Sequence, residues 1–146
     1  MSRNPSDAVV KAWVRLVRAR DRVLGAIERE LKAAGLPPLA WYDVLLELGR
    51  APGGRLRPFE IEQQTLLAQY NLSRLIDRLE NEGLVSRTPC QDDARGQWIV
   101  ITEPGRAMQA RTWKVYARAI EKHVGGKLDD TAAAALADLL EPLTTP

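Results

Sequence analysis

Apolar residues recur at helical spacing over most of the chain. Between residues 7 and 35 they fall at Val9, Trp13, Leu16, Val17, Leu24, Ile27 and Leu31, with Lys11, Arg15, Arg18, Arg22 and Arg29 on the opposite side. This pattern predicts an amphipathic helix of about 27 residues, capped by Ser6 or Asp7 and ended by Gly35. After Leu36-Pro37-Pro38 a second helix is expected over residues 39–50, burying Val44, Leu45 and Leu48 but lacking a Ser, Thr, Asp or Asn cap. A turn at 51–54 leads to a very short strand, Arg55-Leu56-Arg57, and Pro58 opens a third helix that runs to Gln64. Beyond a turn at Thr65-Leu66-Leu67, the stripe Leu72, Leu75, Ile76 and Leu79 marks a fourth helix, which Gly83 closes.

Two strands are expected next, at 84–88 and 98–102, joined by a protruding loop of nine residues, 89–97. Thr102 then caps a long helix with Pro104 in its first turn, and Gly125-Gly126 ends it. Asp129 or Asp130 caps a last helix through Leu140, stopped by Pro142. A helix with one apolar stripe and one polar face, followed by a hairpin with an arginine near its tip, is a winged helix-turn-helix. The fold class is therefore mainly α with a small β-hairpin wing. The expected domains are a winged helix-turn-helix over 36–102 and a helical dimerisation region made of 1–35 and 103–146. These terminal helices are amphipathic, and packing them together and against a second copy covers their apolar faces.

Composition narrows the function. The chain has 146 residues, 45% of them apolar, enough for a core, and no run of 18 apolar residues that would span a membrane. No apolar leader follows the first residues, so a cytoplasmic location is expected. A single cysteine, Cys90, excludes an intrachain disulfide framework and a multi-cysteine zinc site. It falls in the protruding loop as an incidental exposed thiol. The single histidine, His123, excludes a histidine-rich metal site and has no nearby Ser or Cys partner. No phosphate-binding glycine motif is present, so an enzyme, a cofactor and a metal are not expected. Net charge is only +2; residues 1–35 hold eight Lys/Arg against four Asp/Glu, and residues 55–98 hold six against seven. Nucleic-acid binding would thus rest on where single arginines stand, not on total charge.

Two blocks carry a family resemblance. The first is Asn71-Leu72-Ser73-Arg74-Leu75-Ile76-Asp77-Arg78-Leu79 with Glu82-Gly83-Leu84-Val85-Ser86-Arg87. The second is Asp93-Ala94-Arg95-Gly96 with Ile101-Thr102-Glu103-Pro104-Gly105-Arg106. Together they resemble the MarR family of bacterial transcriptional regulators over about residues 8–141, including that family's Asp-x-Arg wing and Thr-x-x-Gly exit. Trp41-Tyr42-Asp43-Val44-Leu45 and Leu56-Arg57-Pro58 also fit. Ala68 stands where the family often has a capping Ser or Thr, and Ile61-Glu62 replaces the usual Leu-Ala.

The resemblance implies a homodimer on a pseudo-palindromic operator in double-stranded DNA, with the fourth helix in the major groove. Its N-terminal half carries Gln69, Tyr70, Asn71, Ser73 and Arg74; Gln and Asn can pair with adenine and Arg with guanine. For Tyr70 and Ser73, contact with phosphate or water is an equal alternative. Arg78 faces partly sideways, and Asp77 is expected in an intramolecular ion pair. Arg95 at the wing tip suits the narrow minor groove. Arg87, Arg57 and Gln63 are candidates for phosphate.

The family also implies repression relieved by a small anionic aromatic effector. For that, Trp13, Arg15, Arg18, Trp41, Tyr42, Asp43 and Trp113 are the candidate pocket, with the arginines for a carboxylate and Asp43 for a polar ring substituent. The alternatives are a winged-helix module that binds protein and a constitutive regulator without ligand.

Overall fold

In the computed structural model residues 3–67, 71–91 and 93–146 are described, residues 93–95 by their backbone alone. The elements are α1 (Asp7–Ala33), α2 (Leu39–Arg50), a 3-10 turn (Pro52–Gly54), β1 (Arg55–Leu56), α3 (Pro58–Gln64), α4 (Leu72–Asn81), β2 (Val85–Cys90), β3 (Asp93–Ile101), α5 (Glu103–Ile120), a π-helical turn (Glu121–Gly125) and α6 (Asp130–Thr144). The chain divides into a helical unit, residues 1–30 with 116–146, and a winged unit, residues 31–115. The last turn of α1 and most of α5 thus belong to the winged unit, which is larger than the 36–102 expected from sequence.

In the winged unit the apolar stripes meet in one core. Val44, Leu45 and Leu48 of α2, Ile61 of α3, Leu75, Ile76 and Leu79 of α4, and Ile99 and Ile101 of β3 are buried together. At ten residues, α4 is too short to be stable alone in water. Burial of each of its three core side chains contributes about 1.5–3 kcal/mol, which is what keeps it helical.

The sheet is antiparallel in the order β1-β3-β2, so the return strand of the hairpin is central. Alternation along β3 sends Ile99 and Ile101 inward and Trp98 and Val100 to the other face.

The hairpin departs from the sequence expectation. Its strands run on to a Cys90↔Asp93 pair through a register shift at Pro89/Cys90, so the nine-residue loop does not exist. Pro89 is tolerated because β2 is an edge strand, where a missing N–H need not break the ladder. Cys90 is consequently 7% exposed, a buried strand residue rather than a loop thiol.

Two polar contacts fix the ends of the helix-turn-helix. The Asp43 side chain, on α2 and 5% exposed, accepts from the backbone N–H groups of Leu66 (2.9 Å) and Leu67 (2.8 Å). Both donors lie in the segment that follows α3, so one carboxylate satisfies a turn that carries no glycine. At the other end Gly83 takes a left-handed conformation (φ 73°), and Leu84 N–H bonds back to Leu79 O at 2.9 Å. The Thr102 hydroxyl donates to Gly83 O (2.6 Å) and accepts from Gly105 N–H (3.1 Å). A Cβ on Gly105 would land on the Leu84 carbonyl oxygen. The Thr-x-x-Gly sequence therefore couples the close of α4 to the start of α5: the hydroxyl makes the link and the glycine lets the backbones approach.

In the helical unit, Glu30 of α1 lies 2.5 Å from His123 Nε2 and 3.8 Å from Lys122 Nζ, both in the π-helical turn. Asp129 caps α6 by accepting from Ala132 N–H at 2.8 Å. Helix α6 runs past the expected stop to Thr144, with Pro142 inside it. There the ring costs a bond in the final turn rather than breaking the helix centre. Trp13 (64%), Leu139 (75%) and Leu143 (70%) are exposed, as are Val9, Val10 and Leu136.

Replacing Gly105 by alanine is expected to lower unfolding free energy by about 1–3 kcal/mol, the usual range for overpacking. Asp43→Ala removes two charge-assisted bonds, and about 3 kcal/mol of loss is expected. Urea denaturation followed by circular dichroism measures both, and a midpoint unchanged in either variant would contradict the corresponding role.

Candidate nucleic-acid interface

The interface is built on α4. Asn71 precedes the helix in non-helical conformation (φ −147°, ψ 71°), and its side-chain oxygen accepts from Arg74 N–H at 3.2 Å. It is the N-cap, not a residue within the helix as the sequence suggested. Its carbonyl oxygen is occupied, and the amide –NH₂ is the group left to donate outward. Ser73, Arg74, Asp77 and Arg78 are exposed, while Leu75, Ile76 and Leu79 fill the core. Arg74 and Arg78, four apart, stand on the same side of the helix. Gln69, Tyr70 and Ala68 lie outside the described residues, and so do the side chains of Asp93 and Arg95.

Arg87, read from sequence as a phosphate ligand, has another assignment. From β2 its two terminal nitrogens reach Asp77 Oδ1 and Glu80 Oε1 on α4, each at 2.6 Å. The hydrogen bond it donates to Asp77 and the nearby Glu80 charge raise the guanidinium pKa above its ordinary value. Asp77 thus has the internal ion pair expected of it, and Arg87 ties the wing to α4 instead of reaching outward. Arg57 occupies the N-cap position of α3. Its N–H donates to Glu60 Oε1 (2.9 Å), and its guanidinium lies 5.7 Å from the Phe59 ring centroid. Gln63 is exposed on α3.

The candidate ligand residues divide between the units. Trp13, Arg15 and Arg18 are exposed on α1 in the helical unit. Trp41, Tyr42, Asp43 and Trp113 belong to the winged unit. Asp43 is not a ligand donor, since both its oxygens hold the turn after α3. Tyr42 is buried, stacked on Trp113 (centroids 6.1 Å apart, planes at 15°). Burial raises its phenol pKa, opposed by a side-chain hydrogen bond with Gln109. Trp41 does line a cleft of about 580 Å³ within the winged unit, together with Leu36, Pro37, Pro38, Met108 and Arg111. Sequence reasoning missed Arg111, which sits one helical turn beyond Met108 on α5 and donates to its sulfur at 3.7 Å. The i, i+3 spacing of an apolar and a cationic residue on that helix was the available signal.

A buried-stripe helix, a turn held by a carboxylate, and a three-stranded sheet ending in a hairpin together define a winged helix-turn-helix protein. The MarR family model matches residues 34–96, the central part of this unit. AbsC, a MarR family transcriptional regulator from Streptomyces coelicolor, is 26% identical, with 97% of this chain and 95% of that one covered at a TM-score of 0.84. Sco3205, a MarR family transcriptional regulator of the same organism solved in complex with DNA, is 24% identical, with 98% and 89% covered at a TM-score of 0.87, and shares the fold. The HTH-type transcriptional regulator PrsX of Escherichia coli is 35% identical over 89 residues, 61% of this chain. That match spans about half of PrsX, 53% of its length. The chain is thus similar to MarR family regulators in sequence over residues 34–96 and in fold over nearly its whole length.

If Arg87 ties the wing to α4, a double-mutant cycle of Arg87→Met and Asp77→Asn should return a coupling of about 0.5–1 kcal/mol in urea unfolding. The figure is modest because Asp77 is largely exposed. Additive effects would show that the pair does not hold the two elements together.

Proposed function

We propose that the chain is a sequence-specific, duplex-DNA-binding transcriptional regulator that works as a homodimer in the bacterial cytoplasm. In this reading it represses until a small aromatic anion releases it. The observation that carries the proposal is the two-sided α4: an apolar stripe rooted in the core and, opposite it, exposed Ser73, Arg74 and Arg78 beside the capping Asn71. Arg74 suits guanine, the free amide of Asn71 can donate to an acceptor on a base edge or phosphate, and Gln69 and Tyr70 extend the surface. Arg95 serves the minor groove, and Arg57 the phosphate backbone. That Sco3205 was solved with DNA supports the same use of the shared fold.

A second copy is the partner proposed for the helical unit. Exposed Val9, Val10, Trp13, Leu136, Leu139 and Leu143 are more large apolar side chains than a monomer of this size normally leaves in water. Two-fold symmetry then suits two half-sites of a pseudo-palindrome. No helix among the described residues is long and apolar enough to cross a membrane. For the effector, the Trp41–Arg111 cleft offers an aromatic wall and a guanidinium, which fit a ring bearing a carboxylate.

In a fluorescence-anisotropy titration at fixed salt, Asn71→Ala and Arg74→Ala should shift sequence preference, each lost base contact being worth about 1–3 kcal/mol. Arg95→Ala should weaken binding to specific and mixed duplexes alike. Three unchanged affinities would sink the DNA-reading assignment, and affinity indifferent to salt would favour a protein-docking wing. Isothermal titration with hydroxybenzoic acids should give heat with the native protein and none with Arg111→Ala; no heat with either would remove the cleft as effector site.

A further inference from the structure

Arg55 of β1 is exposed, and its guanidinium sits 4.3 Å from the ring centroid of Trp98 on β3. Arg55 pairs with Val100, so its side chain emerges on the face away from the core, while Leu56 beside it is buried. Trp98 is two residues nearer the hairpin end than Val100. The guanidinium therefore leans along the outer face of the sheet toward the wing. Two residues on, Arg57 repeats the arrangement over Phe59, itself 55% exposed. Residues i and i+2 of an extended segment share a face and stand about 6.6 Å apart. The edge of the sheet thus presents two arginines, each beside an aromatic ring.

We propose that Arg55, held over the ring of Trp98, is a phosphate-backbone contact for duplex DNA, forming with Arg57 a basic row at the base of the wing. This rests on the reading of the winged unit as a DNA binder. A guanidinium that stacks by its face keeps its N–H donors in plane at its edge, where they can meet two phosphate oxygens. The ring also fixes the side chain before DNA arrives, so less freedom is lost on binding. The wing needs such a cation. Arg87, also on the sheet, is turned onto Asp77 and Glu80, and residues 55–98 carry no net positive charge. Phosphate contact carries no sequence information, so the role is affinity and register rather than specificity.

The test uses the full chain and a fluorescein-labelled duplex of mixed sequence, with anisotropy followed from 50 to 200 mM KCl. Arg55→Gln keeps a planar end over the ring and removes the charge. It should flatten the slope of log affinity against log salt by about one for each subunit bound. Equivalently, the affinity ratio between the two salt concentrations should fall about 3.5-fold per lost contact. Arg55→Lys should keep the slope while binding more weakly, because charge is retained and the stacked plane is lost. Far-UV circular dichroism and melting checks that both variants are folded. Native slope and affinity in Arg55→Gln, alongside weakened binding in Arg95→Ala, would overturn the Arg55 contact and leave the DNA reading standing. A native protein that binds no duplex even at 50 mM KCl would bring down that reading, and this inference with it.

Discussion

One buried carboxylate sets the geometry on which the winged unit depends. Asp43 projects from α2 into the turn after α3 and takes two consecutive backbone N–H groups. A turn between helices leaves donors without partners, and a buried charge needs donors; each requirement meets the other here. It anchors the segment after α3 to α2, which itself places Val44, Leu45 and Leu48 in the core, so the exposed face of α4 is aimed by α2.

The same logic recurs along α4. Its close is held by Thr102, whose hydroxyl spans Gly83 and Gly105. Its flank is held by Arg87, which reaches across from β2 to Asp77 and Glu80. Turn, flank and end are thus each tied to a different element by a polar contact. A helix of ten residues has little rigidity of its own, and these ties supply it. In the proposed function, the exposed face of α4 reads DNA with a small number of placed groups.

Periodicity was enough to find the helices. The stripes at Val44, Leu45 and Leu48 and at Leu72, Leu75, Ile76 and Leu79 report burial directly, and Gly83 and Pro58 punctuate them. The hairpin was harder. Pro89 reads as a loop residue, because sequence does not show that its strand would be an edge. Cys90 was misplaced for the same reason. The polar ties were largely hidden, since Asp43 meets partners 23 and 24 residues away and no local rule links them. Asp77 was legible as half of an ion pair, but its partner Arg87 was taken for a phosphate ligand because charge alone does not tell which way an arginine turns. Asn71 was legible as a polar residue at the head of α4; that its oxygen would cap the helix follows from where the helix starts, which the stripe does not resolve.

The position of β3 in the middle of its sheet sets an order on assembly. Arg55 pairs with Val100, and Ile99 and Ile101 complete a core whose other buried members all lie earlier in the chain. On a ribosome, α2, α3 and α4 emerge before the strand that seals them, and their apolar stripes stay open until it arrives. A nascent chain that has not yet reached Ile101 holds the residues of the exposed α4 face without the foundation that shapes it. The core of the winged unit is therefore closed only when its last strand is in place.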